Sequence, residues 1–213
     1  MNLLLIGPQG SGKGTQAEIL LKTSGLYYVE MGGILREASK NNPTIEKFLT
    51  EGKLVPDDVA LTLVIDKIEK ENPDKDNILF DGFPRSVAQY EMLSKWLLEK
   101  GKKIDVAVLI NISDEESIKR LSARRKCGTC GKIWNLTTEP KPPTPEKCEC
   151  GGELIQRSDD KPEAIKARLD AYHTTTDELV KLLSEKGDLL EIDGTKQISD
   201  VSTDIVEGLK KWK

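Results

Sequence analysis

The stretch Leu3–Leu20, LLLIGPQGSGKGTQAEIL, decides how the rest of the chain is read. Four apolar residues run straight into Gly7, Gly10, Gly12 and Gly14, with Lys13 set among the glycines. The apolar run has the length of a buried strand, and the Lys13–Ser24 pattern behind it is helical. Strand, glycine-rich loop and helix with the spacing G-x-x-x-x-G-K read as a phosphate-binding loop rather than an ordinary turn. Glycine lets backbone N–H groups turn inward onto an anion, and the start of the following helix adds partial positive charge. Lys13 is then placed to reach the outer phosphates. The hydroxyl residue expected directly after the lysine is replaced by Gly14, with Thr15 next. Magnesium ligation from this loop is therefore not assumed.

Working outward, five short apolar runs predict buried parallel strands: Leu3–Ile6, Tyr27–Val29, Ile78–Asp81, Val106–Ile112 and Leu189–Ile192. Helical patterns separate them over Lys13–Ser24, Asp57–Glu71, Val87–Lys100, Ser117–Arg125, Glu163–Lys186 and Ile198–Lys211. Ser113-Asp114-Glu115-Glu116 looks like a capping box. The alternation implies an α/β fold with a parallel sheet. Two segments interrupt it and read as insertions on the core, expected beside the ligand crevice. Residues from about 30 to 55 are helical and polar. Residues from about 126 to 160 hold all four cysteines and four of the ten prolines.

With 213 residues the chain has the length of one ordinary globular core. A net charge of −4 argues against a general nucleic-acid binder. There is no apolar run of membrane-spanning length, and the start lacks the basic and small-residue marks of a signal peptide. A cytoplasmic protein without nucleic-acid or membrane partners is expected. Of 32 basic residues only seven are arginine, the residue whose rigid fork grips phosphate: Arg36, Arg85, Arg120, Arg124, Arg125, Arg157 and Arg168.

Cys127-Gly-Thr-Cys130 has zinc-knuckle spacing, and Cys148-Glu-Cys150 adds a second pair after 17 residues. In a cytoplasmic chain a disulfide pairing is disfavoured, and a structural zinc ion with four thiolate ligands is the expectation. Free thiols or a different fourth ligand are the alternatives. His173, the only histidine, is expected to be a surface or packing residue.

The chain resembles the adenylate kinase family of nucleoside monophosphate kinases. The resemblance rests on GKGTQ in the loop, GGILR at Gly32–Arg36, GKLVPD at Gly52–Asp57, DGFPR at Asp81–Arg85, Gln89, KRLSARR at Lys119–Arg125, QRSDD at Gln156–Asp160, Arg168 and DGTK at Asp193–Lys196. It implies a P-loop NTPase core over residues 1–29, 56–125 and 161–213, a five-stranded parallel sheet flanked by helices. It also implies a monophosphate-binding segment over 30–55 and a zinc-ribbon-like lid over 126–160, in a monomer of the long-lid type.

The implied reaction is the reversible, magnesium-dependent conversion of ATP and AMP into two ADP. The attacking phosphate is already anionic, so catalysis consists of positioning and charge stabilisation, with lid closure excluding water. The implied ATP residues are Gly10, Ser11, Gly12, Lys13, Gly14, Thr15, Arg120, Arg124, Ile133, Trp134 and Lys196. The implied AMP residues are Met31, Arg36, Lys53, Leu54, Val55, Gly82, Phe83, Pro84, Arg85, Gln89, Arg157 and Arg168, with Gln89 reading the adenine edge. Lys13, Arg85, Arg120, Arg124, Arg157 and Arg168 are the implied catalytic set, with Arg120 and Arg124 on one helix face. Trp134 either stacks on a base or packs the lid. Asp81 either orders magnesium-bound waters or caps its strand. Asp159 and Asp160 either pair with arginines or cap a helix. Arg125 is expected to be a solvated partner of an acidic residue. Met31 and Gly33 stand where the family usually has Thr and Asp, and Gln9 replaces a common proline. Met31 keeps a UMP/CMP or GMP kinase as the alternative. A zinc-ribbon nucleic-acid module would need a basic, aromatic face around Cys127–Cys150, and the segment mixes Lys with Glu instead.

Overall fold

A computed structural model describes residues 1–212 apart from Gly52, Pro73 and Lys75, with the side chain of Ser158 also left out. Gly52, the first residue of GKLVPD, thus lies outside the described residues. In chain order, β1 (Leu3–Ile6) leads through the glycine loop into α1 (Lys13–Ser24), followed by β2 (Tyr27–Glu30), α2 (Met31–Ser39), α3 (Pro43–Thr50), α4 (Asp57–Glu71), β3 (Ile78–Asp81), α5 (Val87–Glu99), β4 (Val106–Asn111) and α6 (Asp114–Ala123). Next come β5 (Arg124–Cys127), β6 (Ile133–Asn135), β7 (Leu154–Ile155), α7 (Pro162–Ala171), a π-helical turn (Tyr172–Thr176), α8 (Asp177–Lys186), β8 (Leu189–Asp193) and α9 (Ile198–Gly208).

The five apolar runs pair as one parallel sheet in the order β2-β3-β1-β4-β8, each within a residue of its expected bounds. Successive side chains on a strand face opposite sides, so each strand feeds two cores. Leu4, Ile6, Val29, Phe80, Ala107 and Leu109 pack with α4, α5 and α8. Leu3, Leu5, Leu79, Val106, Val108 and Ile110 pack with α1 and α9. Helices on both faces explain why the strands read as continuous apolar runs rather than as alternations. β1 lies between β3 and β4; from β1 the chain runs to β2 and back to β3 on one side, then crosses to β4 and β8 on the other. The glycine loop therefore opens at the carboxyl end of the sheet, where the strand order reverses and ligand crevices form.

The 30–55 segment is helical as expected. Asn42 Oδ1 accepts from the Thr44 and Ile45 N–H groups at the start of α3, with Pro43 in the first turn. The cysteine segment forms a separate antiparallel sheet, β6-β5-β7.

Three local expectations fail. The helix expected over Ser117–Arg125 starts at Asp114 and stops at Ala123, so Arg124 and Arg125 lie on β5 and Arg124 shares no helix face with Arg120. Backbone pairing of Arg124, Arg125 and Lys126 with Asn135, Trp134 and Ile133 outweighs the local helical pattern. Only half of the capping box forms. Ser113 Oγ accepts from Glu116 N, but the Glu116 carboxylate turns to Arg120 at 2.8 Å. The long helix expected over Glu163–Lys186 is interrupted by the π turn, where Thr174 and Thr175 hydroxyls donate to the Asp170 and Ala171 carbonyls. His173 lies in this turn, exposed, bridging Asp114 and Asp177 at 2.9 and 2.8 Å.

Phe80 is fully buried in the centre of the sheet. Phe80→Ala is expected to lower the unfolding free energy by about 3–5 kcal/mol in urea titrations, the usual cost of a large core cavity.

Candidate active site

The glycine loop is shaped by contacts that exclude side chains. A Cβ on Gly7 would lie 2.3 Å from the Ile110 carbonyl oxygen of β4. Gly10 and Gly12 have φ of 84° and 101°, which L side chains rarely adopt. Gly14 is different: it is helical with open space around it, so the loop geometry does not require a glycine there. α1 begins with no side-chain cap and no acidic residue in its first turn, so its first N–H groups and its partial positive charge face the crevice unopposed. Lys13 Nζ donates to the Gly7 and Pro8 carbonyls, both at 2.8 Å. Burial lowers its pKa from 10.5 to about 8, with Asp81 working against the shift and nearby arginines adding to it.

Asp81 ends β3 beside this loop. Tyr28, two residues before the end of β2, donates its hydroxyl to Asp81 Oδ2 at 2.8 Å. Burial pushes the Asp81 carboxyl above its ordinary pKa, while Lys13 and Tyr28 pull it back. The DGFPR turn follows. Gly82 has φ 74°, and Arg85 Nε donates to the Gly82 carbonyl at 2.7 Å, which aims the guanidinium back across the turn. Gln89 is buried in the first turn of α5, and its amide is already bonded to Arg85 N and Asp57. Met31 and Val55 are buried, giving this side apolar walls. Arg36 pairs with Glu30 at 2.8 Å, and Lys53 pairs with Glu51 at 2.7 Å.

The remaining arginines lining the site come from α6 (Arg120), from β5 (Arg124), from the segment after β7 (Arg157) and from α7 (Arg168). Arg124 makes a forked contact to both oxygens of the fully buried Asp160, at 2.7 and 2.5 Å. Arg157 does the same with Asp159, at 2.8 and 2.5 Å. Arg168 Nη1 donates to the Asp159 carbonyl and lies 3.3 Å from its carboxylate. Burial lowers Arg168 to about 10, and neighbouring arginines add to the shift. Burial also opposes ionisation of Asp159, yet the bonds and charge from Arg157 outweigh it and hold the carboxyl below its ordinary range. Of the two readings of Asp159 and Asp160, pairing with arginines is the one realised, and no side chain caps α7. Arg125 finds no acidic partner among the described residues; it donates to the Ser122 and Arg124 carbonyls.

A single cavity of about 1360 Å³ joins these parts. Gly10–Thr15, Met31, Lys53, Leu54, Val55, Asp81, Gly82–Arg85, Gln89, Ile133, Trp134 and Lys196 all line it, as do Arg36, Arg120, Arg124, Arg157 and Arg168. Arg125 alone of the seven arginines does not. Sequence reasoning missed Tyr28, Glu30 and Asp57 as partners of site residues. Glu30 had a signal: it is a charge closing an apolar strand. Tyr28 and Asp57 are ordinary in sequence, and only pairing across the sheet and between helix starts gives them a role.

The four cysteine sulfurs lie within 4.8 Å of one another. Cys127 Sγ is 3.5 Å from Cys150 Sγ, and Cys130 Sγ is 3.6 Å from Cys148 Sγ. Four sulfurs at about 2.3 Å from one ion would stand roughly 3.8 Å apart at tetrahedral angles, so the cluster fits a metal of zinc's kind. The C-x-C pair closes the set as well as the C-x-x-C pair opens it. Backbone N–H groups of Cys130 and Thr129 point at Cys127 Sγ, each at 3.4 Å, and lower its pKa to about 6. Trp134 Nε1 donates to Cys148 Sγ at 3.3 Å while its ring lies under Lys132. Trp134 therefore packs against the cluster as well as facing the cavity.

The family model described as adenylate kinase matches residues 5–188. An adenylate kinase of Pyrococcus horikoshii is 41% identical over 206 residues, covering 94% of this chain and 92% of the relative. That of Caldicellulosiruptor bescii is 41% identical over 214 residues, covering 98% and 99%. That of Archaeoglobus fulgidus is 39% identical over 218 residues and covers both chains in full. A crevice lined by six arginines and a glycine loop and a family match across most of the chain agree: the protein is a phosphotransferase that belongs to the adenylate kinase family.

Proposed function

We propose that the chain catalyses the reversible transfer of the terminal phosphoryl group of ATP to AMP, giving two ADP. The observation that carries this reading is the cavity. At about 1360 Å³ it exceeds the usual range for one drug-sized ligand, and it runs without a break from the glycine loop to the DGFPR turn. One nucleotide enters with its phosphates on the loop. The other enters with its phosphate toward Arg36 and Arg85 and its base toward Met31, Val55 and Gln89. Arg120, Arg124, Arg157 and Arg168 lie between them, where charge on the transferring group must be held. No side chain is needed to take a proton, because the acceptor phosphate is already anionic.

In this reading 30–55 is the monophosphate-binding segment, 126–160 is the lid, and the rest is the core. Arg124, Arg157 and Arg168 are held by Asp160 and Asp159 at the return of the lid, and exchange carboxylate for phosphate partners as the lid closes over the nucleotides. Closure keeps water from the phosphoryl group. Magnesium carried in with ATP supplies charge neutralisation, and Asp81, an oxygen donor beside the loop, suits the ordering of its waters. Cys127, Cys130, Cys148 and Cys150 hold a zinc ion that stabilises the lid. A monomer is the state implied by the resemblance to the long-lid type, and it is proposed here. Four clustered thiols suit a reducing, cytoplasmic setting, and no helix among the described residues is long and apolar enough to cross a membrane.

An acceptor panel tests the reaction. ADP formation is expected with AMP and not with UMP, CMP or GMP at equal concentration, and turnover with another acceptor but not AMP would overturn the assignment. Lys13→Ala should lower kcat by about a hundredfold or more without changing the circular dichroism spectrum. Lys13 loses its charge as pH rises through about 8, and phosphate binding restores it. Nucleotide affinity should therefore fall above that pH, and calorimetry in two buffers of different ionisation enthalpy should show proton uptake on binding there. Metal analysis should find about one zinc per chain, and a strong chelator should lower the thermal midpoint; Cys148→Ser should reduce both the zinc content and the midpoint.

A further inference from the structure

Gln89 is buried yet lines the cavity, and its amide is held at both ends. The backbone N–H of Arg85 donates to Oε1 at 2.7 Å, and Nε2 donates to Asp57 Oδ1 at 2.7 Å. The two partners have opposite chemistry: a backbone N–H only donates, and a carboxylate only accepts. Turning the amide over would set N–H against N–H at one end and oxygen against oxygen at the other, both at contacts shielded in part from water. Gln89 therefore has one orientation. Its main chain is fixed too, because Ser86 Oγ accepts from Gln89 N at 3.1 Å where α5 begins.

An amide offers two lone pairs and two N–H bonds. The two contacts use one of each, leaving one acceptor on Oε1 and one donor on Nε2. A 6-aminopurine presents an amino donor beside the N1 acceptor, and a 6-oxopurine presents the reverse. The apolar walls at Met31 and Val55 cannot tell these apart, whereas a fixed pair of polar groups can, since the wrong base leaves both unpaired. We propose that Asp57 is the positioning residue for acceptor selectivity: by fixing the Gln89 amide it makes the site accept a 6-aminopurine monophosphate and reject a 6-oxopurine one. The inference rests on the reading of Gln89 as the base contact and adds the residue that gives that contact its direction.

The test compares kcat/KM for AMP and for inosine monophosphate, which differ only at this edge, in the wild type, Asp57→Asn and Gln89→Leu. An asparagine at 57 can offer either oxygen or N–H, so one of the two restraints on the amide disappears. Asp57→Asn is expected to lower the AMP-to-inosine-monophosphate ratio by about tenfold, the worth of one hydrogen bond to a charged group. Its kcat with AMP should stay within about threefold of the wild type, which separates lost orientation from lost structure. Gln89→Leu should collapse the ratio. A collapse in Gln89→Leu with no change in Asp57→Asn, or an equal loss with both acceptors in Asp57→Asn, overturns the positioning role and leaves the base contact standing. An unchanged ratio in Gln89→Leu overturns the base contact and this inference with it. If Asp57→Asn does not fold, Asp57→Ser carries the same expectation, because its shorter side chain lacks the oxygen that holds Gln89 Nε2.

Discussion

Six guanidinium groups and four lysine ammonium groups share the lining of a single cavity, and much of the surrounding structure exists to hold them there. Like charges in a partly desolvated space repel, and the strain is visible in Lys13 and Arg168, whose pKa values burial and neighbouring cations drive down to about 8 and about 10. Three buried or half-buried carboxylates offset the repulsion. Asp81 faces Lys13 from the end of β3, while Asp160 and Asp159 hold Arg124 and Arg157 in forked pairs. Removing one member of such a pair leaves a buried charge uncompensated, so these carboxylates belong to the site as much as the arginines do.

The parallel sheet is what allows those charges to meet. β1 and β3 are adjacent, so the glycine loop and the DGFPR turn leave the same edge side by side although they lie far apart in sequence. Gly7 sits against the Ile110 carbonyl of β4, which presses the loop onto the third strand of the group. The loop thereby gains a rigid floor, and its N–H groups stay turned toward the crevice. Cores on both faces, including Phe80, Leu79 and Val108, keep the strands in register beneath it.

The small antiparallel sheet is built on a different principle. Its apolar cluster consists of Cys127, Trp134, Cys148 and Leu154, too little to order a segment of this length by burial alone. Four sulfurs gathered within 4.8 Å, with N–H groups already aimed at one of them, are arranged so that a bound metal ion would supply the cross-link a hydrophobic core provides elsewhere.

Much was legible in the chain itself. The five strands, the flanking helices and the glycine loop follow from apolar run length and glycine spacing, because local chemistry dictates each of them, and the resemblance in motif order picked out the six arginines that line the cavity. The failures share one cause. Arg124 left its expected helix because β5 draws on Asn135 and Trp134, which lie beyond a turn the local pattern does not show. The long helix after Glu163 breaks into a π turn whose threonine hydroxyls have two backbone choices. The resemblance implies Gln89 as a base contact, but the direction of its amide is set by the Arg85 N–H at one end and by Asp57, thirty-two positions away, at the other. The sequence by itself determined the order of strands, helices and glycine loop, since apolar run length and glycine spacing suffice for that, and its ordered motifs named many of the residues that line the crevice. Only the tertiary structure decided which carboxylate holds which arginine and which way each polar group faces, because a hydrogen bond's direction depends on both partners, and the partners meet only in the folded chain.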